Sequence, residues 1–279
     1  MSSLIAPRVI ITGASTGIGR GLALHLAKNY QARLVLSARS RDDLESCREE
    51  VLKTGGQAEI ICGNLIDAAV NEQLIPTCIT AYGGIDILVN NAGMAIPGPF
   101  DQLSMEDWRR LYELNFFTPL KLTYAALPHL RQAARGKIIN ISSVAGKIAF
   151  PGSVSYCSSK FALTGLSEGL AAELHDQVDV LTVCPGWVRT EFFEKNAVPG
   201  SRNPTIMAEQ RNVRGLLMRY FLSMSTEECV RAIVTALEKG GSHELILTMP
   251  GLIAERLHGI APQIMRRIAK KVPASYTAK

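Results

Sequence analysis

Tyr156 and Lys160 stand four residues apart, so on a helix they share one face and their functional groups can approach each other. A free phenol, with a pKa of about 10, is a poor acid or base at neutral pH. An ammonium about 4 Å away would stabilise the phenolate by roughly 4 kcal/mol at an effective dielectric of about 20. That is close to three pKa units at ~1.4 kcal/mol each, with burial of the phenol opposing the shift. The pair is therefore a candidate for general acid–base work at an oxygen atom. Ser143 precedes Tyr156 by 13 residues and closes a β-branched run, so its hydroxyl is expected to orient a substrate oxygen. Ser142 is the competing serine, but strand alternation turns it to the opposite face.

A second set of residues points to phosphate. The run Thr12-Gly13-Ala14-Ser15-Thr16-Gly17-Ile18-Gly19 follows a strand-like segment and precedes a helical one. A glycine-rich turn in that position aims bare backbone N–H groups and a helix dipole at one spot, an anion site for the pyrophosphate of a dinucleotide. Gly13, Ser15, Thr16, Gly17, Ile18 and Gly19 are the candidate contacts. About twenty residues beyond the glycines, an acid would bond a ribose 2′-OH and an arginine would accommodate a 2′-phosphate. The sequence there is Ser37-Ala38-Arg39-Ser40-Arg41, with two arginines and no acid. A guanidinium can hold a phosphate in a bidentate, charge-assisted way. NADP(H) is the expected cofactor, with Arg39 the main contact and Arg41 secondary.

The elements that must position these groups alternate regularly. Short apolar runs occur at 8–12, 33–37, 58–62, 85–90, 137–142, 180–184 and 244–248. Helical stretches lie between them at 22–29, 41–54, 67–82, 105–134, 154–175 and 226–239, the last opening on a capping box from Ser225 to Glu228. Continuous apolar strands separated by helices mean a parallel sheet covered on both faces, with right-handed crossovers. The expected fold class is α/β, a doubly wound Rossmann fold with a seven-stranded parallel sheet. Residues 1–250 read as a single nucleotide-binding domain. It includes a long excursion at 191–224, of a length that is more often a substrate lid than idle loop.

Composition narrows the function classes. The 279 residues are 47% hydrophobic and 20% charged, which suits a globular protein and excludes disorder. No apolar run is long enough to span a membrane and no basic leader opens the chain, so the expectation is a cytoplasmic protein. The six cysteines lack zinc-ligand spacing, so reduced thiols are expected and no metal. The net charge of +5 is concentrated in residues 251–279, where six basic groups face the single acid Glu255. The balanced remainder has no stripe for nucleic acid. In this basic extension Leu252, Ile253, Leu257, Ile260, Ile264, Met265 and Ile268 recur at helical spacing, with Pro262 set to kink the helix. Such a segment can lie on an anionic membrane surface, or it can pack its apolar stripe on its own domain or a partner subunit.

Taken together, TGASTGIG at 12–19, NNAG at 90–93, Asn115, ISS at 141–143, YCSSK at 156–160 and PGWVRT at 185–190 resemble the ordered motifs of classical short-chain dehydrogenases/reductases. The resemblance spans roughly residues 8–250. It implies an NADP-preferring oxidoreductase with Ser143, Tyr156, Lys160 and Asn115 as the catalytic set. Lys160 would also hold the nicotinamide ribose, and Asn115 a water that links Lys160 to solvent. Leu65, Asn91, Ala92, Gly93, Pro185, Gly186, Val188 and Thr190 would line the cofactor. Asn64 departs from the family's usual aspartate at the adenine, though its amide can still bond the ring. Pocket walls are expected from 94–100, 145–152, 186–188 and lid residues Phe192, Phe193, Met207, Leu216, Leu217 and Met218. These are largely apolar, which favours a lipophilic carbonyl or secondary alcohol of retinoid, steroid, ketone or acyl type, unless the lid side chains simply pack on the sheet. The alternatives are a catalytically silent NADP(H)-binding regulator and a peripheral membrane module. The long helices at 105–134 and 154–175 suit the homodimers or homotetramers of similar proteins.

Overall fold

The computed structural model describes residues 4–189 and 223–248, together with 251–253, 256, 260, 261 and 263. All seven expected runs form strands: β1 (Arg8–Thr12), β2 (Arg33–Ala38), β3 (Gln57–Cys62), β4 (Ile87–Asn90), β5 (Gly136–Ile141), β6 (Val178–Cys184) and β9 (His243–Ile246). They make one parallel sheet in the order β3-β2-β1-β4-β5-β6-β9. The order reverses direction between β1 and β4, and the crevice outside the carboxyl ends of strands at such a point is where open α/β sheets bind ligands.

Successive residues of a strand point to opposite faces, and the two cores divide accordingly. Val9, Ile11, Leu34 and Leu36 pack on one side, under helices α1 (Gly17–Tyr30), α2 (Arg41–Lys53) and α8 (Thr226–Lys239). Ile10, Val35, Leu88 and Ile138 pack on the other, under α4 (Leu74–Tyr82), α5 (Met105–Tyr112), α6 (Thr118–Leu130) and α7 (Val154–Glu173). The capping box of α8 forms as expected: Ser225 Oγ accepts from Glu228 N at 3.1 Å and Glu228 Oε2 from Ser225 N at 2.7 Å.

Two expected helices are broken, each at a proline. The stretch 67–82 divides into α3 (Ala68–Asn71) and α4, because the ring of Pro76 would clash with the Glu72 carbonyl in a continuous helix. The stretch 105–134 divides into α5, a π-helical turn at Glu113–Phe117, and α6. Pro119 has no N–H for the Asn115 carbonyl four residues back, and the chain widens there. Helix α1 starts at Gly17 rather than Leu22, the glycine turn supplying its first residues, and β5 stops at Ile141, one residue before the expected end.

Two short strands, β7 (Trp187–Val188) and β8 (Ser223–Met224), pair in parallel, reinforced by Arg189 N on Met224 O at 3.1 Å. They join the two ends of the long excursion, whose residues 190–222 lie outside the described residues, as does most of the basic extension.

Candidate active site

The glycine turn is built by close approach. Gly13 and Gly17 have φ of +66° and +56°, the left-handed region that glycine enters at no steric cost. A Cβ on Gly19 would stand 2.3 Å from Gly13 O and 2.6 Å from Asn91 Nδ2, so that residue must be bare. Asn91 Nδ2 donates to Thr12 O at 2.8 Å and Gly13 O at 3.0 Å. Thr12 Oγ1 accepts from the backbone N–H groups of Asn91 at 2.9 Å and Ala92 at 3.0 Å. The ends of β1 and β4 are thereby fused around one cleft. Thr16 occupies the N-cap of α1, but its side chain accepts no N–H from the first turn, so the donors there remain directed outward. These residues fit the pyrophosphate of a dinucleotide: a cradle too tight for side chains, at the positive end of a 14-residue helix.

Ser143, Tyr156 and Lys160 come together beside this cleft. Ser143 leaves the end of β5 and caps a 3-10 turn at Val144–Gly146, its Oγ accepting from Ala145 N at 3.0 Å. The half-buried Tyr156 phenol lies beside it, close enough for the Ser143 hydroxyl to favour the phenolate. Ser142 is buried against the same helix α7, bonded to Thr164 Oγ1 at 2.8 Å and Lys160 O at 3.2 Å. Both serines follow the last residue of β5, and what separates them is the partner each meets on α7, not the alternation of the strand. Lys160 is 3% exposed. Its ammonium donates to Ile141 O at 2.8 Å and sits 5.9 Å from the centre of the Tyr156 ring.

That arrangement corrects the expected electrostatics. Burial pushes the Tyr156 phenol up to about 12, against the opposing pull of the Ser143 hydrogen bond. Burial also brings the Lys160 ammonium down from 10.5 to about 8. The spacing argument took the ammonium as turned toward the phenol, whereas the structure turns it to the Ile141 carbonyl, where desolvation outweighs the attraction.

Asn115 lies in the π-helical turn and is fully buried. Its Oδ1 accepts from Met94 N at 2.9 Å, and its Nδ2 donates to Met94 O at 2.9 Å and Ser159 Oγ at 3.0 Å. Gly93 separates it from the lysine: a Cβ there would be 3.3 Å from Asn115 Oδ1 and 3.5 Å from Lys160 Nζ. All four expected catalytic residues therefore meet in one place.

The other expected contacts are distributed along the same crevice. Arg39 is exposed at the end of β2, its carbonyl accepting from Cys62 Sγ at 3.4 Å. Arg41 opens α2 and pairs with Glu45 at 3.3 Å. Asn64 Oδ1 accepts from Ile66 N at 3.3 Å, and Leu65 is buried beside it. Ile18 is packed against the α1 face of the core, while Ser15 stays half-buried on the turn. Pro185 O accepts from Val144 N at 2.9 Å, Gly186 abuts Thr248, and Val188 lies in β7. Thr190 and the expected lid residues lie outside the described residues. Two contributors went unread in the sequence: Thr12, whose hydroxyl ties the two loops, and Ser159. Each stood inside a motif already quoted, and a hydroxyl three residues after Tyr156 is the usual signal of a side chain bonding back to its own helix.

The sequence pattern of the short chain dehydrogenase family matches residues 7–198. The chain belongs to that family. Dehydrogenase/reductase SDR family member 7 of Homo sapiens is 33% identical over 262 residues, covering 91% of this chain and 74% of the relative. A putative oxidoreductase, SadH, of Mycobacterium tuberculosis is 30% identical over an alignment of 285 positions that covers 100% of this chain and 98% of the relative. Among solved structures, a short chain dehydrogenase/reductase from Burkholderia phymatum in complex with NAD superposes with a TM-score of 0.83, at 22% identity, over 95% of this chain and 96% of its own. An alcohol dehydrogenase from Thermococcus sibiricus, complexed with 5-hydroxy-NADP, gives 0.72 at 23% identity over 86% and 95%. At those identities the structures speak for the fold. As a short-chain dehydrogenase, the protein is an oxidoreductase acting on alcohol and carbonyl groups with a nicotinamide nucleotide.

Proposed function

We propose that the protein is an NADP(H)-dependent oxidoreductase that interconverts a lipophilic carbonyl compound and its secondary alcohol. The observation that carries this reading is the meeting of Ser143, Tyr156 and Lys160 beside a glycine cradle whose helix N-terminus is open to phosphate. A bound nicotinamide would supply or accept the hydride at the substrate carbon. Ser143 holds the substrate oxygen, and Tyr156 gives its phenolic proton to that oxygen as the carbonyl becomes an alcohol. With the phenol at about 12 without nucleotide, Tyr156 is protonated at neutral pH and suited to donate. Lys160, Thr16 and the N–H groups of α1 bind and orient. For NADP(H) over NAD(H), the support is Arg39 at the end of β2 with no carboxylate in its place. For a lipophilic substrate it is a similar protein of Pinus massoniana, 32% identical over 83% of this chain, that carries the name 11-beta-hydroxysteroid dehydrogenase.

The test is NADPH oxidation across a panel of lipophilic aldehydes and ketones. Tyr156→Phe should remove turnover by about 10²- to 10⁴-fold while nucleotide binding survives. A Tyr156→Phe protein with wild-type kcat would overturn the assignment and favour a silent nucleotide sensor.

The same reading extends to partners. Tyr124 on α6 and Phe161 on α7 are exposed, and a side chain at Gly165 or Gly169 of α7 would meet open space, features suited to a homodimer surface. Unpaired thiols suit a reducing, cytoplasmic compartment. Ile253 and Ile260, 53% and 84% exposed, suit reversible contact of the basic extension with an anionic membrane.

A further inference from the structure

Three segments leave the carboxyl ends of β5, β6 and β9, which are neighbours in the sheet, and each touches the other two. Val144 N donates to Pro185 O at 2.9 Å. A Cβ on Gly186 would stand 2.3 Å from Thr248 Oγ1, and one on Gly251 2.7 Å from Val144 Cγ2. Ser143 begins the first segment and Gly186 stands in the second, so the surface they form borders the catalytic cleft. Each segment leaves a large apolar side chain in solvent: Phe150 from the first, Trp187 from the second and Ile253 from the third, with Ile260 further along the extension. Gly251 is buried here, so the basic extension sets out from this same surface, and residues 251–279 carry six basic groups against one acid. The segment after β4 also exposes Phe100, and α5 exposes Met105, but these stand beside Asp101, Glu106 and Asp107.

We propose that the surface around Phe150, Trp187 and Ile253 docks on an anionic lipid bilayer, so that the mouth of the cleft faces the membrane and a lipophilic carbonyl compound enters from it. This rests on the reading of a lipophilic substrate and of an extension that meets a membrane, and adds which side of the domain turns toward the lipid. A bilayer satisfies both features at once: acidic headgroups take the cations, and the region beneath them takes the apolar side chains. The indole of Trp187 suits that boundary, having an apolar ring and one polar N–H. A polyanionic partner would take the charges and leave the apolar side chains in water. A second copy docked on the same surface would bring a second basic extension against the first.

The chain has two tryptophans, so Trp108→Phe in the full-length protein leaves Trp187 as the sole reporter. With vesicles of phosphatidylcholine and phosphatidylserine, its emission should shift to the blue. Lipids brominated along the acyl chain should quench it at least about twofold, as expected of an indole at the lipid boundary. Vesicles of phosphatidylcholine alone should leave it unchanged. Phe150→Ser and Ile253→Ser, both at exposed positions, should each weaken vesicle binding at least about threefold through the apolar area withheld from the lipid. Protein that floats with the anionic vesicles while Trp187 stays unquenched would overturn the proposal and leave the extension as the sole membrane contact. Unchanged affinity in both serine variants would also overturn it, pointing to charge alone and hence to a polyanionic partner. Protein that does not float at all would end both the proposal and the membrane reading of the extension. If no carbonyl or alcohol is turned over, the reading of the activity fails by itself, and the quenching still decides the docking.

Discussion

Lys160 should weaken the fold it serves. Its ammonium is 3% exposed, donates one bond to the Ile141 carbonyl, and faces no paired carboxylate among the described residues. Burial brings its pKa from 10.5 to about 8, which at ~1.4 kcal/mol per unit makes the buried charge cost about 3 kcal/mol. Lys160→Met keeps the stem and removes the charge. It forfeits the bond to Ile141 O, worth about 1 kcal/mol, so the variant should gain about 2 kcal/mol near pH 7. At ~2–4 °C per kcal/mol for a chain of this size, the melting temperature should rise by roughly 4–8 °C. The pH dependence carries the sign. The unfolded lysine keeps its proton up to 10.5 while the folded one releases it near 8, so wild-type stability rises with pH through that window. The advantage of the variant is therefore full below about pH 8 and gone by about pH 10. Tyr156 works in the opposite sense above that, since its folded value of about 12 means stability falls as pH rises from about 10. Thermal unfolding of nucleotide-free wild type and Lys160→Met, scanned between about pH 7 and pH 10, checks this. A variant no more stable at pH 7, or an advantage that does not shrink with pH, would refute the account of burial.

Wild-type protein should bind NADPH at least about tenfold tighter than NADH in a fluorescence titration, a ratio of ~1.4 kcal/mol, and Arg39→Asp should invert the order by removing the fork and adding repulsion; equal affinities would remove Arg39 from the cofactor site. Gly165→Trp meets open space within the subunit, so it should leave the melting temperature within a few degrees while converting a wild-type dimer to a monomer in sedimentation; a monomeric wild type would end the proposal for the α6–α7 face. Full-length protein should float with anionic liposomes at low salt and a truncation after Gly251 should not, whereas a full-length protein that stays at the bottom would leave the extension a packing role alone.

What could be read in the sequence, and what could not, divides by the distance over which the cause acts. The seven strands were legible because each holds a short apolar run, whereas Ser142 and Ser143 lie past the end of β5 and the partners each meets on α7 could not be read from strand alternation. The breaks at Pro76 and Pro119 were legible in principle: each proline names the carbonyl it excludes four residues back, and for Pro119 that carbonyl is Asn115's. Nothing in the spacing of Tyr156 and Lys160 shows that the ammonium's partner is a carbonyl at the end of β5, since Ile141 is 19 residues away and reaches the site only through the sheet. The phenol's pKa follows from the same cause, because burial is a sum over elements that no local pattern contains. Motifs therefore located groups that the fold brings together, and burial among the packed elements set their proton affinities. A nicotinamide bound in the cleft would bring a positive charge beside Tyr156 when oxidised and none when reduced. The phenol should then release its proton more readily in the complex with the oxidised nucleotide, which is the form in which it must take one from an alcohol.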